Sequence, residues 1–252
     1  MRSTDVIVHV NPGIQWQADF LAPLTRGLRS TGLSFALTGS RRRIESGMPI
    51  LLGTSFWNGV EDGGPFILVD RCSFGDPTRW VTVVRNGHGK RGDHRVPAEP
   101  RGERWGRIGV PVAPWSLGDG AVVLCGQCRT WSSRYRQLAD WYEYVSPCCT
   151  HFRRHPAARR IAQFAAGVTL PLLETWDGVA RMVTLNSSIA VEAVLRGIPT
   201  ITMDEGAMAW EVTGHHPDDV STPDRTEWLH WLAWTQWHWE EIAEGEPWRR
   251  ML

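Results

Sequence analysis

An α/β fold in two halves is what the sequence predicts, on three observations. Short apolar runs of strand length alternate with patterns of helical period. The alternation breaks off over residues 85–114 and then resumes. Strand, helix and strand also follow within about 35 residues, the length of a βαβ unit, so the sheets are expected to be parallel.

Residues 5–10 (DVIVHV) read as a buried strand that ends at the turn signal Asn11-Pro12-Gly13. A helix follows over residues 16–29, with Phe20, Leu21, Leu24 and Leu28 on one face, and Gly32 stops it. Strands are expected at 33–37, 49–52, 66–70 and 80–84. Residues 85–95 are polar, basic and glycine-rich, and prolines follow; they read as a functional or surface loop running into an interdomain linker. The second series has strands at 121–125, 151–153, 182–185 and 200–202, and helices at 134–145, 156–166 and 187–196. A tryptophan-rich helix over 225–242 closes it. The outline is two Rossmann-like lobes, residues 1–114 and residues 115–252, with the terminal helix in the second.

Composition narrows the function. Of 252 residues, 42% are apolar and 21% charged, enough for a packed core and against general disorder. Lys+Arg and Asp+Glu both number 27, so the net charge is zero and any nucleic-acid contact must rest on a local patch. Lys90 is the one lysine. An arginine excess suits forked contacts to phosphate, and a GC-rich coding bias produces the same excess. The first residues lack an apolar signal core, and no window approaches eighteen apolar residues. With five cysteines, this leads to the expectation of a reducing cytoplasm. Cys125-Gly-Gln-Cys128 with Cys148-Cys149 is a poor zinc pattern, because the second pair is adjacent and Cys125 lies in a core strand. No metal site is expected.

The most informative stretch is residues 183–201. A strand ends at Leu185, and Asn186-Ser187-Ser188 opens a helix whose first N–H groups and dipole favour an anion such as phosphate. Glu192, about one and a half turns on, is in reach of a ribose diol. The plainer reading is an ordinary helix cap with Glu192 in solvent.

Asn186-Ser187-Ser188, Glu192-Ala193 and Gly197-Ile198-Pro199 resemble the nucleotide-sugar site of GT-B glycosyltransferases, closest to the capsule-polysaccharide transferase type and related phage proteins. Arg153-Arg154-His155-Pro156 resembles their Arg-x-His-Pro element, and Gly126-Gln127 the loop that opens their C-terminal lobe. The three elements occur in the family's order over residues 120–205. The resemblance implies two Rossmann-like lobes with a cleft between them. It also implies a nucleotide-sugar donor, UDP-sugar by expectation, and no required cofactor or metal. Its donor-side residues are Gly126, Gln127, Arg153, His155, Asn186, Ser187, Ser188, Glu192, Asp204 and Glu205. Arg153 and His155 would neutralise the leaving phosphate as cationic or hydrogen-bonding clamps, with a cap of the next helix as the alternative for His155, while Asp204 and Glu205 would bind sugar hydroxyls or form a solvated turn. At 252 residues the chain is short for such a fold.

The catalytic base is expected in the N-terminal lobe, with Asp19, Asp70 and His88 as candidates and Asp93 beside them. Trp16, Trp57 and Trp131 are candidates for stacking. One acceptor implied by the phage resemblance is a 5-hydroxymethylpyrimidine in double-stranded DNA, flipped from the helix. Arg41, Arg42, Arg43, Arg85, Lys90 and Arg91 would then meet phosphates. The alternatives are transfer to a polysaccharide, or a catalytically silent module that binds nucleotide sugar or nucleic acid.

Overall fold

The computed structural model describes residues 4–42, 44, 47–59, 64–127, 138–155 and 168–252. It divides into two compact units, residues 1–108 with 229–252, and residues 109–228. The fold is mixed α/β, with a six-stranded and a four-stranded sheet and seven α-helices among the described residues.

In the first unit, β1 (Val6–His9), β2 (Phe35–Thr38), β3 (Met48–Leu52) and β4 (Ile67–Arg71) run parallel in the order β2-β1-β3-β4. Helix α1 (Gln15–Ser30) joins β1 to β2 and buries Gln17, Phe20, Leu24, Gly27 and Leu28, a stripe at helical spacing. It ends where Gly32, at φ 78°, lets the Leu33 N–H return to the Leu28 carbonyl. Strand β5 (Trp80–Arg85) is antiparallel to β4. Phe20, Leu24 and Leu28 pack with Val6, Val8, Ile50, Ile67 and Val69 on one face of this sheet, and Leu51, Leu68, Val84, Phe56 and Phe66 form a cluster of their own.

The second unit repeats the strand order. β6 (Ala121–Cys125), β7 (His151–Arg153), β8 (Val179–Thr184) and β9 (Thr200–Thr202) are parallel in the order β7-β6-β8-β9. Numbered within their own units, both parallel sheets read 2-1-3-4, a Rossmann-like order. Helix α3 (Leu138–Val145) leads into β7, and α4 (Ile189–Leu195) joins β8 to β9. The expected helix at 156–166 lies outside the described residues, as do residues 134–137 of the one expected before it.

Three features differ from expectation. The stretch read as linker is structured: α2 (Glu103–Ile108) lies within it, and residues 113–116 run along α4. There the Ala113 N–H donates to the Leu195 carbonyl, and a Cβ on Gly197 would stand 1.9 Å from the Pro114 carbonyl oxygen. Arg225 clamps the same segment, donating to the carbonyls of Val194 and Ala113 and stacking 4.2 Å from the Trp115 ring. This segment gave no periodic signal because hydrogen bonds and one half-buried arginine, rather than an apolar stripe, hold it.

The expected terminal helix is broken into α5 (Thr226–Ala233), β10 (Gln236–His238), α6 (Trp239–Glu244) and α7 (Glu246–Met251). Strand β10 pairs antiparallel with β5, so residues 229–252 belong with the first unit rather than the second. The cause is burial. Trp237 and Trp248 are fully buried in the core around α1, and Gln236 accepts from the Ser73 N–H and the Thr82 hydroxyl. Helical spacing reads tryptophans on one face but is blind to a strand made of three residues.

Candidate functional site

In an open parallel sheet, ligands bind outside the carboxyl ends of the strands, where successive connections leave in opposite directions. In the second unit that point lies between β6 and β8. The residues just beyond these strands are Gly126-Gln127 and Leu185 to Ser188, with Arg154-His155 after β7 and Asp204-Glu205 after β9. The fold thus gathers Gly126, Gln127, Arg153, His155, Asn186, Ser187, Ser188, Asp204 and Glu205 at one sheet edge, although they lie up to some 80 residues apart in sequence.

The two central loops are tied together. Gln127 is buried, its N–H donates to the Tyr142 hydroxyl at 2.8 Å, and its Nε2 donates to Thr184 Oγ1 at 2.9 Å. Thr184 Oγ1 also accepts from the Ser187 N–H at 3.3 Å. Gly126 is a close-approach position: a Cβ there would meet the Phe152 ring at 3.0 Å and the His155 backbone nitrogen at 3.2 Å. Asp204 is buried, with Oδ1 taking the Gly206 N–H at 2.6 Å. Glu205 is exposed.

Several expectations change at this edge. The helix after Asn186 begins at Ile189, with Ser188 as an N-cap that makes no side-chain cap bond, and the Ser187 N–H is already taken by Thr184. The seven-residue α4 therefore offers less dipole and fewer open donors than the longer helix expected. Glu192 is held by Arg196, one turn on, at 2.8 Å, with both side chains partly in solvent. Burial pushes His155 below the ordinary imidazole range. Of the two roles expected for it, cationic or hydrogen-bonding clamp, this shift favours the neutral, hydrogen-bonding ring. Burial likewise pushes the Cys125 and Cys149 thiols up to about 12. Cys128 lies outside the described residues.

The first unit has its own switch point between β1 and β3. Gln17 bridges it, accepting the Asn11 N–H at 2.7 Å and donating to the Leu52 carbonyl. It is a residue the sequence reading missed, although a lone polar side chain in the buried stripe of α1 was a signal. Asp19, one turn into α1 beyond this point, is exposed, and its Oδ1 accepts from Gln15 Nε2 at 2.7 Å. Pro23 has no N–H to give the Asp19 carbonyl, so the turn that bears Asp19 lacks one ladder bond.

Asp70 sits one strand further out, at the end of β4. Its Oδ1 takes the Arg71 N–H, and its Oδ2 lies 3.6 Å from His88 Nε2. His88 reaches it because residues 85–95 fold back instead of forming an open loop. Arg85 and Asp93 exchange both backbone hydrogen bonds, the Gly87 and Gly92 backbones nearly touch, and Gly92 packs on Val84. Asp93 is occupied by the Arg95 guanidinium at 3.0 Å.

The expected nucleic-acid contacts scatter. Arg41 and Arg42 are exposed after β2, and Arg43 lies outside the described residues. Arg85 is turned inward, with Nη1 on the Met251 carbonyl and Nε buried without a hydrogen-bond partner. Lys90 and Arg91 sit in a short 3₁₀ turn. Of the stacking candidates, Trp16 packs against the core beside Phe20, while Trp131 lies outside the described residues, as does the Trp57 side chain.

His94 anchors the folded loop. It is buried, Nε2 contacts the Gly89 carbonyl at 2.9 Å, and the ring meets Trp231 edge to face. Burial pushes its pKa from 6.5 down to about 4. Above pH 6.5 the ring is neutral in folded and unfolded chains alike. As pH falls from there toward about 4, the unfolded chain takes up a proton that the folded protein refuses, and stability falls. The expected slope is up to about 1.4 kcal/mol per pH unit, read as urea midpoints at pH 7.5 and 5. His94→Gln, which keeps a donor for Gly89, should lose that slope.

No protein-family model matches the sequence, and no curated protein matches it. Among solved structures, Thermosulfurimonas dismutans KpsC, a beta Kdo 2,7 transferase, superposes with a TM-score of 0.52 at 12% sequence identity. The match covers 96% of this chain and 98% of that one, so the likeness in fold runs almost end to end.

Proposed function

We propose that this chain is a glycosyltransferase of the two-lobed GT-B kind, in which the second unit binds the nucleotide of a nucleotide-sugar donor and the first supplies the base. The supporting observation is the meeting of residues from four strand ends at the carboxyl edge of the β7-β6-β8-β9 sheet. The fold-level likeness to a Kdo transferase agrees with it, as an analogy of fold. In this reading Arg153 and the backbone donors around Ser188 face the phosphate, Glu192 and Asp204 face ribose or sugar hydroxyls, and His155 hydrogen-bonds the leaving group.

Asp19 is the preferred base. It follows the switch point of its sheet, and Gln15 holds one carboxylate oxygen while the residue stays open to solvent. Asp70 is less suited, because one oxygen accepts the Arg71 N–H and the other faces His88. The acceptor hydroxyl gives its proton to Asp19 as its oxygen bonds to the anomeric carbon. The bond from that carbon to the phosphate oxygen breaks, and the nucleoside phosphate leaves with the electron pair. Charge on the leaving group is met by Arg153, so turnover is expected to survive EDTA.

A carbohydrate is the favoured acceptor over modified DNA, given zero net charge and the inward-turned Arg85. The test is calorimetric titration with UDP, CMP and GDP, followed by turnover of the matching sugar donors. Turnover is measured with water alone, with oligosaccharides and with hydroxymethylated DNA. Nucleotide binding and transfer to an oligosaccharide are expected. DNA-dependent turnover would replace the acceptor, binding without turnover would favour a silent module, and no nucleotide binding would end the reading.

A further inference from the structure

Trp176 stands between Arg153, at the donor edge, and Arg196, at the far end of α4. The Arg153 guanidinium, from the end of β7, lies 4.7 Å from the centre of its ring. The Arg196 guanidinium, from the end of α4, lies 4.7 Å from the same centre. Arg196 in turn grips Glu192 through two nitrogens on one carboxylate oxygen, at 2.8 and 3.2 Å. Arg153 is tied back a second time, its Nη1 donating to the Thr175 carbonyl at 3.0 Å. Its neighbour Arg154 pairs instead with Glu174 at 2.8 Å.

A guanidinium stacked on an aromatic face keeps its in-plane N–H groups for an anion, while the ring restricts its rotamers. Without a ring beside them, two exposed arginines would spread their charges through solvent and lose about 2 kcal/mol of side-chain freedom each time one was fixed. The indole is itself secured, packing from the segment before β8 onto Val123, Cys125, Met182 and Ala193.

We infer that Trp176 is the positioning residue of the nucleotide site. It sets Arg153 toward the phosphate and, through Arg196, sets Glu192 toward the ribose diol, so that one ring fixes the spacing between the two recognition groups. This rests on the nucleotide-binding reading of the second unit. It assigns the ligand class as a ribonucleoside phosphate, recognised by phosphate and by its 2′ and 3′ hydroxyls together.

The experiment compares binding of UDP and 2′-deoxy-UDP, and of CMP and 2′-deoxy-CMP, to the full chain by calorimetry. Trp176→Phe keeps a ring and should bind within about threefold of the parent. Trp176→Leu should weaken ribonucleotide binding by roughly tenfold or more and bring the ribo-to-deoxy ratio close to one. Arg196→Met changes an exposed side chain and leaves the core untouched. It should lower the ribo-to-deoxy ratio several-fold. A purely structural tryptophan would shift the melting temperature without moving that ratio. Unchanged ratios in both Trp176→Leu and Arg196→Met, beside a parent that binds, would overturn the inference and leave the nucleotide reading standing. A parent that binds no nucleotide would overturn both.

Discussion

Asp19→Asn is expected to lower sugar transfer by about 10²–10⁴-fold, the usual worth of a positioned general base, with nucleotide affinity unchanged. The amide keeps the shape of the carboxylate and its contact with Gln15, but it cannot take the acceptor proton. Asp70→Asn and His88→Gln should cost far less, because that pair, 3.6 Å apart, fixes the folded loop beside β4. Their effect should appear in the acceptor KM. The measurement is kcat and KM for both substrates in all three variants. A larger fall in kcat for Asp70→Asn than for Asp19→Asn would move the base to β4.

Removal of Arg104 should be the most damaging single change to the first unit. Its side chain is 4% exposed and meets four partners: the carbonyls of Ala233 and Gln236, and both oxygens of Glu241. It also lies 4.9 and 4.5 Å from the rings of Trp234 and Trp237. Arg104→Ala leaves two backbone acceptors short of a donor and Glu241 without its cation, for a loss of about 3–5 kcal/mol. Arg104→Lys keeps the charge but neither the fork nor the stack, and should fall between. Glu241→Gln removes the charge while keeping a group that can accept the His238 N–H, so it should be milder than Arg104→Ala. Denaturant unfolding followed by near-UV circular dichroism reads this directly, since Trp234 and Trp237 are the chromophores in contact. A loss below about 1 kcal/mol for Arg104→Ala would mean that solvent replaces these bonds.

The sequence was legible where the signal is local. Strands at 121–125 and 200–202 match the structure residue for residue, because continuous β-branched or apolar runs bounded by turns need no distant information; the strand at 151–153, with Phe152 as its one apolar residue, matches too. Helix α1 was equally plain from Phe20, Leu24 and Leu28. Legibility failed wherever a polar or aromatic side chain is buried by partners far along the chain. Arg104, 129 residues from Ala233, looked like linker. His88 looked like part of a mobile basic loop until the contacts between Gly87 and Gly92 folded it against the sheet. Trp176 carried no motif at all, and its meaning lies in two arginines from other elements.

By itself, then, the sequence determined two parallel α/β series and which loops follow their strands, Asn186–Ser188 and Gly126-Gln127 among them, since strand period and turn chemistry act over a few residues. Tertiary structure alone decided that these loops share one sheet edge through Gln127 and Thr184, that residues 229–252 return to the first unit, and that Arg153 and Arg196 stack on Trp176. The first two of those outcomes bury a polar side chain, Gln127 and Gln236, where a partner far along the chain satisfies it. That condition is met in three dimensions and leaves no periodic trace along the chain.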